Sequence, residues 1–219
     1  MGARIEVFAN RSSWLKARTR IGGSDAAAVI GKSHWMSNIE LWELKTGRRE
    51  PKDMSDNELV KYGTKAEEHI RALFALDHPE WEVCYEPNNL WTNPDYPFSH
   101  ASLDGWLVAA GGVRARGVLE IKTAEIQNAQ QAAAWKNRIP DYYYTQMLWN
   151  MAVTEADFGI LVAQLKYKRE DDMYKITREY RIPMDQNARE DALYLLMQGR
   201  KFWEYVEKDK RPALILPEI

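Results

Sequence analysis

The stretches SLDG at Ser102–Gly105 and VLEIKT at Val118–Thr123 decide how this 219-residue chain folds. Alternate side chains of an extended strand point to opposite faces, so Glu120 and Lys122 share one face of the second stretch. The aliphatic residues before and between them share the other face. The pattern therefore predicts a strand that is apolar on one side and carries an acid and a lysine on the other.

The segment between these stretches predicts a hairpin. An apolar run, Trp106–Val108, directly follows Asp104, and Gly111 and Gly112 offer the turn that returns the chain to the second strand. We therefore expect Asp104 to lie beside Glu120 and Lys122 at the edge of a buried sheet.

Two carboxylates and a lysine at one sheet edge suit a divalent metal and phosphodiester hydrolysis. Mg²⁺ prefers a few protein oxygens, here Asp104, Glu120 and the backbone carbonyl of Ile121. A cation there polarises the phosphate, and Lys122 orients the attacking water or accepts its proton. The alternative is a solvated Glu–Lys pair on an outer strand face, and spacing alone does not separate the two.

The composition is that of an ordinary globular protein, with 45% hydrophobic and 28% charged residues. We expect residues 1–219 to form a single domain. Cys84 is the only cysteine, so an internal disulfide is excluded. The sequence has no membrane-spanning run and no secretory signal, which predicts a cytoplasmic protein. A net charge of −2 argues against a uniformly basic nucleic-acid-binding coat.

The order of the predicted elements is that of an α/β domain with a central mixed β-sheet flanked by helices. A helix follows Pro140, and an amphipathic C-terminal helix spans about 185–208. Strands are expected at roughly 81–86, 90–92, 105–109, 117–122, 158–163 and 174–182.

Two further segments carry candidate functional residues. At Gly22–Asp25, glycines lead into a Ser or Asp helix cap whose free N–H groups suit a phosphate, and Arg18 and Arg20 precede it. An ordinary capped helix with solvated arginines is the alternative. In the helix that ends near Leu76, Glu67 faces the core, either as a further metal ligand or as an acid bonded to the helix start.

Five ordered motifs resemble the phage lambda exonuclease and YqaJ-type viral recombinase family, which belongs to the PD-(D/E)xK nuclease superfamily. The resemblance spans roughly residues 14 to 165. The motifs are Ile21–Ala26, Tyr62–Gly63 with Glu67, Ser102–Gly105, Leu119–Lys122 and Tyr143–Gln146. One departure is Leu103, where the family often has proline.

The resemblance implies a role for each matching residue. Asp104 and Glu120 would be metal ligands, and Lys122 would lie beside the attacking water. Glu67 would assist a second metal, and Gln146 would position the nucleophile or the lysine. Arg18, Ser24 and Ser102 match the family's pocket for a terminal 5′-phosphate. The cofactor would be one or two Mg²⁺ ions, with Mn²⁺ as a substitute.

The resemblance also implies an activity and partners. Family members digest one strand of double-stranded DNA from its 5′ end, form rings of three subunits, and pass the 3′ overhang to a phage single-strand annealing protein. Lys45–Arg49 and Lys166–Arg169 are candidates for the inner wall of such a ring, or are solvated loops. The alternative functions are an endonuclease or junction resolvase of the same superfamily, and a catalytically inactive DNA-binding module.

Overall fold

A five-stranded mixed sheet, in the order β2-β4-β5-β6-β7, carries the two central sequence motifs. The structure is a computed structural model that describes residues 2–110, 116–169 and 172–216. The strands are β1 Arg4–Val7, β2 Trp81–Cys84, β3 Asn89–Thr92, β4 Gly105–Ala109, β5 Arg116–Ile126, β6 Phe158–Arg169 and β7 Asp172–Pro183. The helices are α1 Arg11–Ala17, α2 Gly23–Val29, α3 Asn38–Lys45, α4 Glu58–Asp77, α5 Ala129–Ala134, α6 Asp141–Thr154 and α7 Gln186–Glu207.

The hairpin expected from the sequence is present. β4 and β5 pair antiparallel with Gly105 opposite Leu119, whereas β5 and β6 pair parallel with Leu119 opposite Ile160. Gly111 and Gly112, the expected turn, lie outside the described residues. β5 continues to Ile126, beyond the predicted end at 122, because β6 pairs with it along that length.

The two faces of β5 are covered by different helices. Leu119 and Ile121 pack with Ile70 and Phe74 of α4 in one apolar cluster. On the opposite face, Val118 belongs to a larger cluster that includes residues of α2, α6 and α7. The mixed sheet flanked by helices is therefore confirmed, and α6 lies on the face that carries Glu120 and Lys122.

A second, two-stranded sheet was not predicted from the sequence. β1 pairs antiparallel with β3, and all four residues of β1 are exposed. Strand periodicity identifies a buried face, so a short strand without one gives no signal. The short helices α1 and α5 have no buried residues either and were missed for the same reason.

The prediction of a Ser24 or Asp25 cap on α2 is wrong. The helix begins at Gly23 with Gly22 as its N-cap, and Asp25 lies inside the first turn. A carboxylate of Asp25 accepts the backbone N–H of Gly22 at 2.9 Å, which allows the helix to begin before the serine.

No helix in the described part of the chain is long and apolar enough to cross a membrane.

Candidate active site

Asp104, Glu120 and Lys122 meet where β4 and β5 are paired. The Asp104 carboxylate accepts the backbone N–H of Ile121 at 2.8 Å, which attaches the residue before β4 directly to β5. The Lys122 ammonium lies 2.6 Å from Glu120 Oε1. Glu120 is only 2% exposed, so the two residues are not a solvated surface pair.

Both oxygens of Glu120 accept hydrogen bonds from side chains. Oε1 accepts from Lys122 and from Gln146 Nε2, the latter at 2.5 Å, and Oε2 accepts from Asn150 Nδ2 at 3.1 Å. Gln146 and Asn150 lie one turn apart on α6. Their shared helix face was visible in the sequence, but the role of Asn150 was missed because the carboxylate that it contacts is on another element.

Burial and mutual repulsion shift the titration of the acidic residues. Burial raises the pKa of Glu120 to about 7, and burial together with the Asp104 charge raises the pKa of Glu67 to about 7. Burial also raises the pKa of Asp104. It would lower the pKa of Lys122, but the carboxylates of Glu120 and Asp104 outweigh it and raise that pKa. The site therefore has more negative charge than one lysine offsets.

Helix α4 is attached to the same site by an arginine that the sequence analysis did not single out. Arg71 donates a hydrogen bond to the backbone carbonyl of Asp104, and its guanidinium lies 3.6 Å from the ring centroid of Tyr85. Arg71 is one turn beyond Glu67, which is half-buried beside it. The four-residue spacing from Glu67 was the signal by which Arg71 could have been found in the sequence. Because Arg71 contacts Asp104, the same helix face brings Glu67 near Asp104 and Glu120.

The donor set fits Mg²⁺ better than a metal that needs an all-protein cage. Among the described residues, no group of three or more His, Cys, Asp or Glu side chains is arranged to hold a metal by itself. Mg²⁺ is usually held by one or two carboxylates, with water and substrate oxygens completing its shell. Asp104 and Glu120 supply two carboxylates, and a bound cation would favour their charged forms, which burial disfavours.

The residues expected to hold a 5′-phosphate lie on two adjacent segments. Ile21 and Ser99 form a parallel β-bridge. Ser24 lies three residues after Ile21, and Ser102 lies three residues after Ser99. Ser24 is exposed, whereas Ser102 Oγ is buried without a hydrogen-bond partner among the described residues. Arg18 is half-buried, with its guanidinium 4.3 Å from the Trp14 ring centroid.

His100 lies beside this pocket and is 2% exposed. Neither of its ring nitrogens has a partner among the described residues. Burial, reinforced by the Arg18 charge, lowers its pKa to about 3, so the ring is neutral at pH 7. A Cβ on Gly22 would lie 2.8 Å from His100 Nε2, so close approach of the ring explains that glycine.

The two basic runs are engaged within the chain. Lys45 lies 2.7 Å from Asp25, Arg48 pairs with Asp209, and Arg49 pairs with Glu43. Lys166 is buried, with its ammonium 3.1 Å from the centroid of the Tyr62 ring. The alternative of solvated loops is therefore wrong for Lys45 and Lys166, whereas Arg48 and Arg49 are exposed and form surface ion pairs within this chain.

The fold is shared with solved nuclease structures. The alkaline exonuclease LHK-Exo from Laribacter hongkongensis matches with a TM-score of 0.60 and 21% identity, over 90% of this chain and 97% of that one. Its complex with dAMP matches with a TM-score of 0.62 and 20% identity, over 91% of this chain and 96% of that one. The RNA complex of SOX from KSHV matches with a TM-score of 0.54 and 12% identity, over 92% of this chain and 71% of that one. At these identities the likeness establishes the class of fold, that of the exonucleases.

Residues 13–157 match the YqaJ-like viral recombinase domain family, and the chain belongs to that family. The uncharacterized protein YqaJ of Bacillus subtilis strain 168 is 27% identical over 187 residues, which cover 78% of this chain and 55% of that protein. The chain thus spans about half the length of this curated relative. The resemblance recognised from five motifs is confirmed.

Proposed function

We propose that this protein is a metal-dependent 5′→3′ exonuclease that digests one strand of linear double-stranded DNA. The 3′ overhang that remains would serve recombination by single-strand annealing. One observation carries the proposal: a buried carboxylate, Glu120, is hydrogen-bonded to Lys122 and Gln146 and lies near Asp104, which directly precedes the adjoining strand β4. The raised pKa values of these acids are typical of functional sites.

Asp104, Glu120 and the Ile121 carbonyl would hold the Mg²⁺ ion, and Glu67 would assist a second ion or its waters. When bound, Mg²⁺, or Mn²⁺ in its place, polarises the phosphodiester and favours deprotonation of water. These residues are all on the β4–β5 hairpin except Glu67, which α4 supplies. Removal of divalent metal should therefore abolish cleavage while leaving the fold intact.

Lys122 would orient the attacking water. Its raised pKa keeps the ammonium protonated near neutral pH, so it donates hydrogen bonds and favours the developing negative charge. Gln146 would act as a positioning residue, because its amide fixes Glu120 Oε1 and through it the ammonium of Lys122. Glu120 and Lys122 on β5 would thus be held in position by Gln146 of α6 before substrate binds.

Arg18, Ser24 and Ser102 would bind the terminal 5′-phosphate and so set the polarity of digestion. The guanidinium supplies charge, and the buried Ser102 hydroxyl would donate to a phosphate oxygen. A grip on a terminal phosphate has no use in an internal cut. The pocket therefore favours the exonuclease over an endonuclease or junction resolvase, and the acid cluster favours an enzyme over an inactive DNA-binding module.

We further propose a homotrimeric ring around DNA, a phage single-strand annealing protein as partner, and the cytoplasm of a bacterial host cell as the location. Family membership supports these proposals. The net charge of −2 gives the chain little general affinity for DNA, and a closed ring would supply processivity by topology.

Digestion of linear duplex DNA with Mg²⁺ tests the function. Each strand is labelled separately, the 5′ ends carry phosphate or hydroxyl, and a closed circle serves as the uncut control. We expect loss of one strand from the phosphorylated 5′ end and an intact circle. The Arg18→Ala variant should lose the preference for phosphate, whereas Arg20→Ala, an exposed neighbour, should keep it.

Cleavage of closed circles would contradict the exonuclease proposal and favour an endonuclease. Digestion from 3′ ends would contradict the polarity. No cleavage with any divalent metal would leave only a DNA-binding module.

A further inference from the structure

A series of aromatic rings leads from the active-site lysine to the protein surface. The Lys122 ammonium lies 5.2 Å from the centroid of the Tyr143 ring. Tyr143 and Tyr142 have their centroids 4.3 Å apart, and Tyr142 and Trp35 have theirs 4.6 Å apart. The outermost ring, Trp35, is thus connected to the proposed catalytic site through two ring contacts.

Trp35 is exposed to an unusual degree for its size. The indole is 68% exposed, and it is the only exposed tryptophan among the nine of this chain, all of which lie in described segments. Its contact with Tyr142 is edge-to-face, with an interplanar angle of 84°. Such a contact covers at most one face of the indole and leaves a broad apolar surface open beside the site.

The indole borders a cavity of about 590 Å³ between the loop that follows α2 and the segment around α5. The lining includes Lys32, Gln130, Gln131 and Arg138, together with the carboxylate-bearing Glu125 and Asp141. Ammonium, guanidinium and amide groups are the donors that proteins use toward phosphate and sugar oxygens. The surroundings therefore combine an aromatic platform with groups suited to a nucleic acid backbone.

We propose that Trp35 stacks on a nucleobase of the strand being cut, next to the scissile phosphate, with the adjoining backbone in this cavity. The inference rests on the proposed function, which it deepens by naming how single-stranded substrate is held. Aromatic stacking is tolerant of sequence because every base has a π-face. A platform of this kind suits an enzyme that removes nucleotides regardless of base.

An abasic scan combined with substitution tests the platform. A single abasic site is placed at successive positions near the 5′ end of the digested strand, and KM and kcat are measured for the wild type, Trp35→Ala and Trp35→Phe. One abasic position should raise the wild-type KM about 10-fold. Trp35→Ala should raise KM about 10-fold on intact DNA and show no further loss at that position, with Trp35→Phe intermediate.

The matched control is Tyr194→Ala, which removes an exposed aromatic ring from α7. It should match the wild type at every abasic position. If Trp35→Ala remains as sensitive as the wild type at every position, Trp35 does not stack on a base. A change of sedimentation mass in Trp35→Ala, without a change in abasic sensitivity, would assign the indole to contact with another copy of the chain and would overturn the proposal.

A binding measurement separates this inference from the proposed function. If the wild type cleaves nothing, the function fails, but 2-aminopurine placed at the same positions still reports stacking through its fluorescence in EDTA. Quenching by the wild type that is lost in Trp35→Ala supports the platform. Equal quenching by both proteins contradicts it.

Discussion

The Glu120 carboxylate and the proposed phosphate pocket around Ser102 are both buried and polar, but their polar atoms are satisfied differently. Each oxygen of Glu120 accepts a hydrogen bond from a side chain of the same protein. In the pocket, Ser102 Oγ and both ring nitrogens of His100 have no partner among the described residues. Buried polar atoms normally have partners, so this difference needs an explanation.

Under the proposed function, the difference separates a catalytic site arranged in advance from a binding site that a ligand would complete. The carboxylates are held near one another by the hairpin, α4 and α6, although burial and, to a lesser extent, their mutual repulsion raise the pKa values of Glu67 and Glu120 to about 7. In the proposed phosphate pocket, the Ser102 hydroxyl has no partner among the described residues and would gain one when a ligand binds. In the proposed exonuclease, chemistry would require fixed geometry, whereas release of each shortened DNA end would require a grip that can open.

The largest expected effect on the cleavage rate comes from a substitution in the carboxylate site. In Asp104→Asn, the amide oxygen can still accept the N–H of Ile121, so the hairpin should persist while one anionic metal ligand is lost. Cleavage in Mg²⁺ should fall about 10³-fold, which corresponds to about 4 kcal/mol of transition-state stabilisation. Asp95→Asn, in an exposed loop, is the control and should be fully active. An Asp104→Asn protein within tenfold of the wild type would rule out a ligand role.

A smaller loss is expected when the positioning residue is removed. Gln146→Leu deletes the amide that donates to Glu120 Oε1, so kcat should fall about 10- to 100-fold with KM nearly unchanged. Loss of a donor disfavours the charged carboxylate, so the acidic limb of the pH–rate profile should move to higher pH. Gln198→Leu on α7 is the control. An unshifted limb would mean that Gln146 acts on packing alone.

The pH dependence of stability probes the repulsion among the acids. The pKa of Glu67 is raised from 4.5 to about 7 in the folded protein, so the native state binds its proton more tightly than the unfolded state. Without metal, stability should therefore fall as pH rises from about 4.5 to about 7 and then level off. Glu67→Gln should remove about 1–2 kcal/mol of that decline, allowing for solvent screening.

Thermal unfolding in EDTA at acidic and alkaline pH measures this effect. Glu68→Gln, on the exposed side of the same helix, is the control and should keep the wild-type slope. Identical slopes for Glu67→Gln and Glu68→Gln would contradict the coupling of Glu67 to the site.

The smallest expected effect is on the free energy of unfolding, and it compares a buried hydroxyl that has a hydrogen-bond partner with one that has none among the described residues. Ser99 Oγ donates to the carbonyl of Tyr96 at 2.8 Å, whereas Ser102 Oγ has no partner in the described part of the chain. In the absence of DNA, Ser99→Ala should lower the free energy of unfolding by about 1 kcal/mol, and Ser102→Ala should leave it equal or raise it by up to about 1 kcal/mol. Equal destabilisation by both substitutions, measured by urea unfolding, would mean that Ser102 is satisfied in solution and is not reserved for a ligand.

Much of this site could be predicted because strand and helix periodicity determine which residues share a face. Alternation placed Glu120 with Lys122, and helix spacing placed Glu67 toward the core. Periodicity does not say what lies across an interface. That Asn150 contacts Glu120, and that Arg71 contacts Asp104, depends on how α6 and α4 dock on the sheet.

The segments that were misjudged have two different physical causes. β1 lacks a buried face, so no pattern announced its pairing with β3. At α2, the Asp25 carboxylate bonds back to Gly22 and to Lys45, and the second of these contacts comes from a distant helix. The same long-range pairing removes Lys45 from the set of free cations that a charge run in the sequence suggested.

Single-turnover cleavage by Lys122→Ala, compared with the wild type, tests the central claim most directly. Both proteins are stripped of metal with EDTA, bound to a 5′-phosphorylated linear duplex, and then given Mg²⁺, with DNA affinity measured beforehand. We predict that the wild type cleaves only after Mg²⁺ is added, and that the variant binds DNA with similar affinity but cleaves about 10³-fold more slowly. Near-normal cleavage by Lys122→Ala, or cleavage by the wild type in EDTA, would contradict the proposed mechanism.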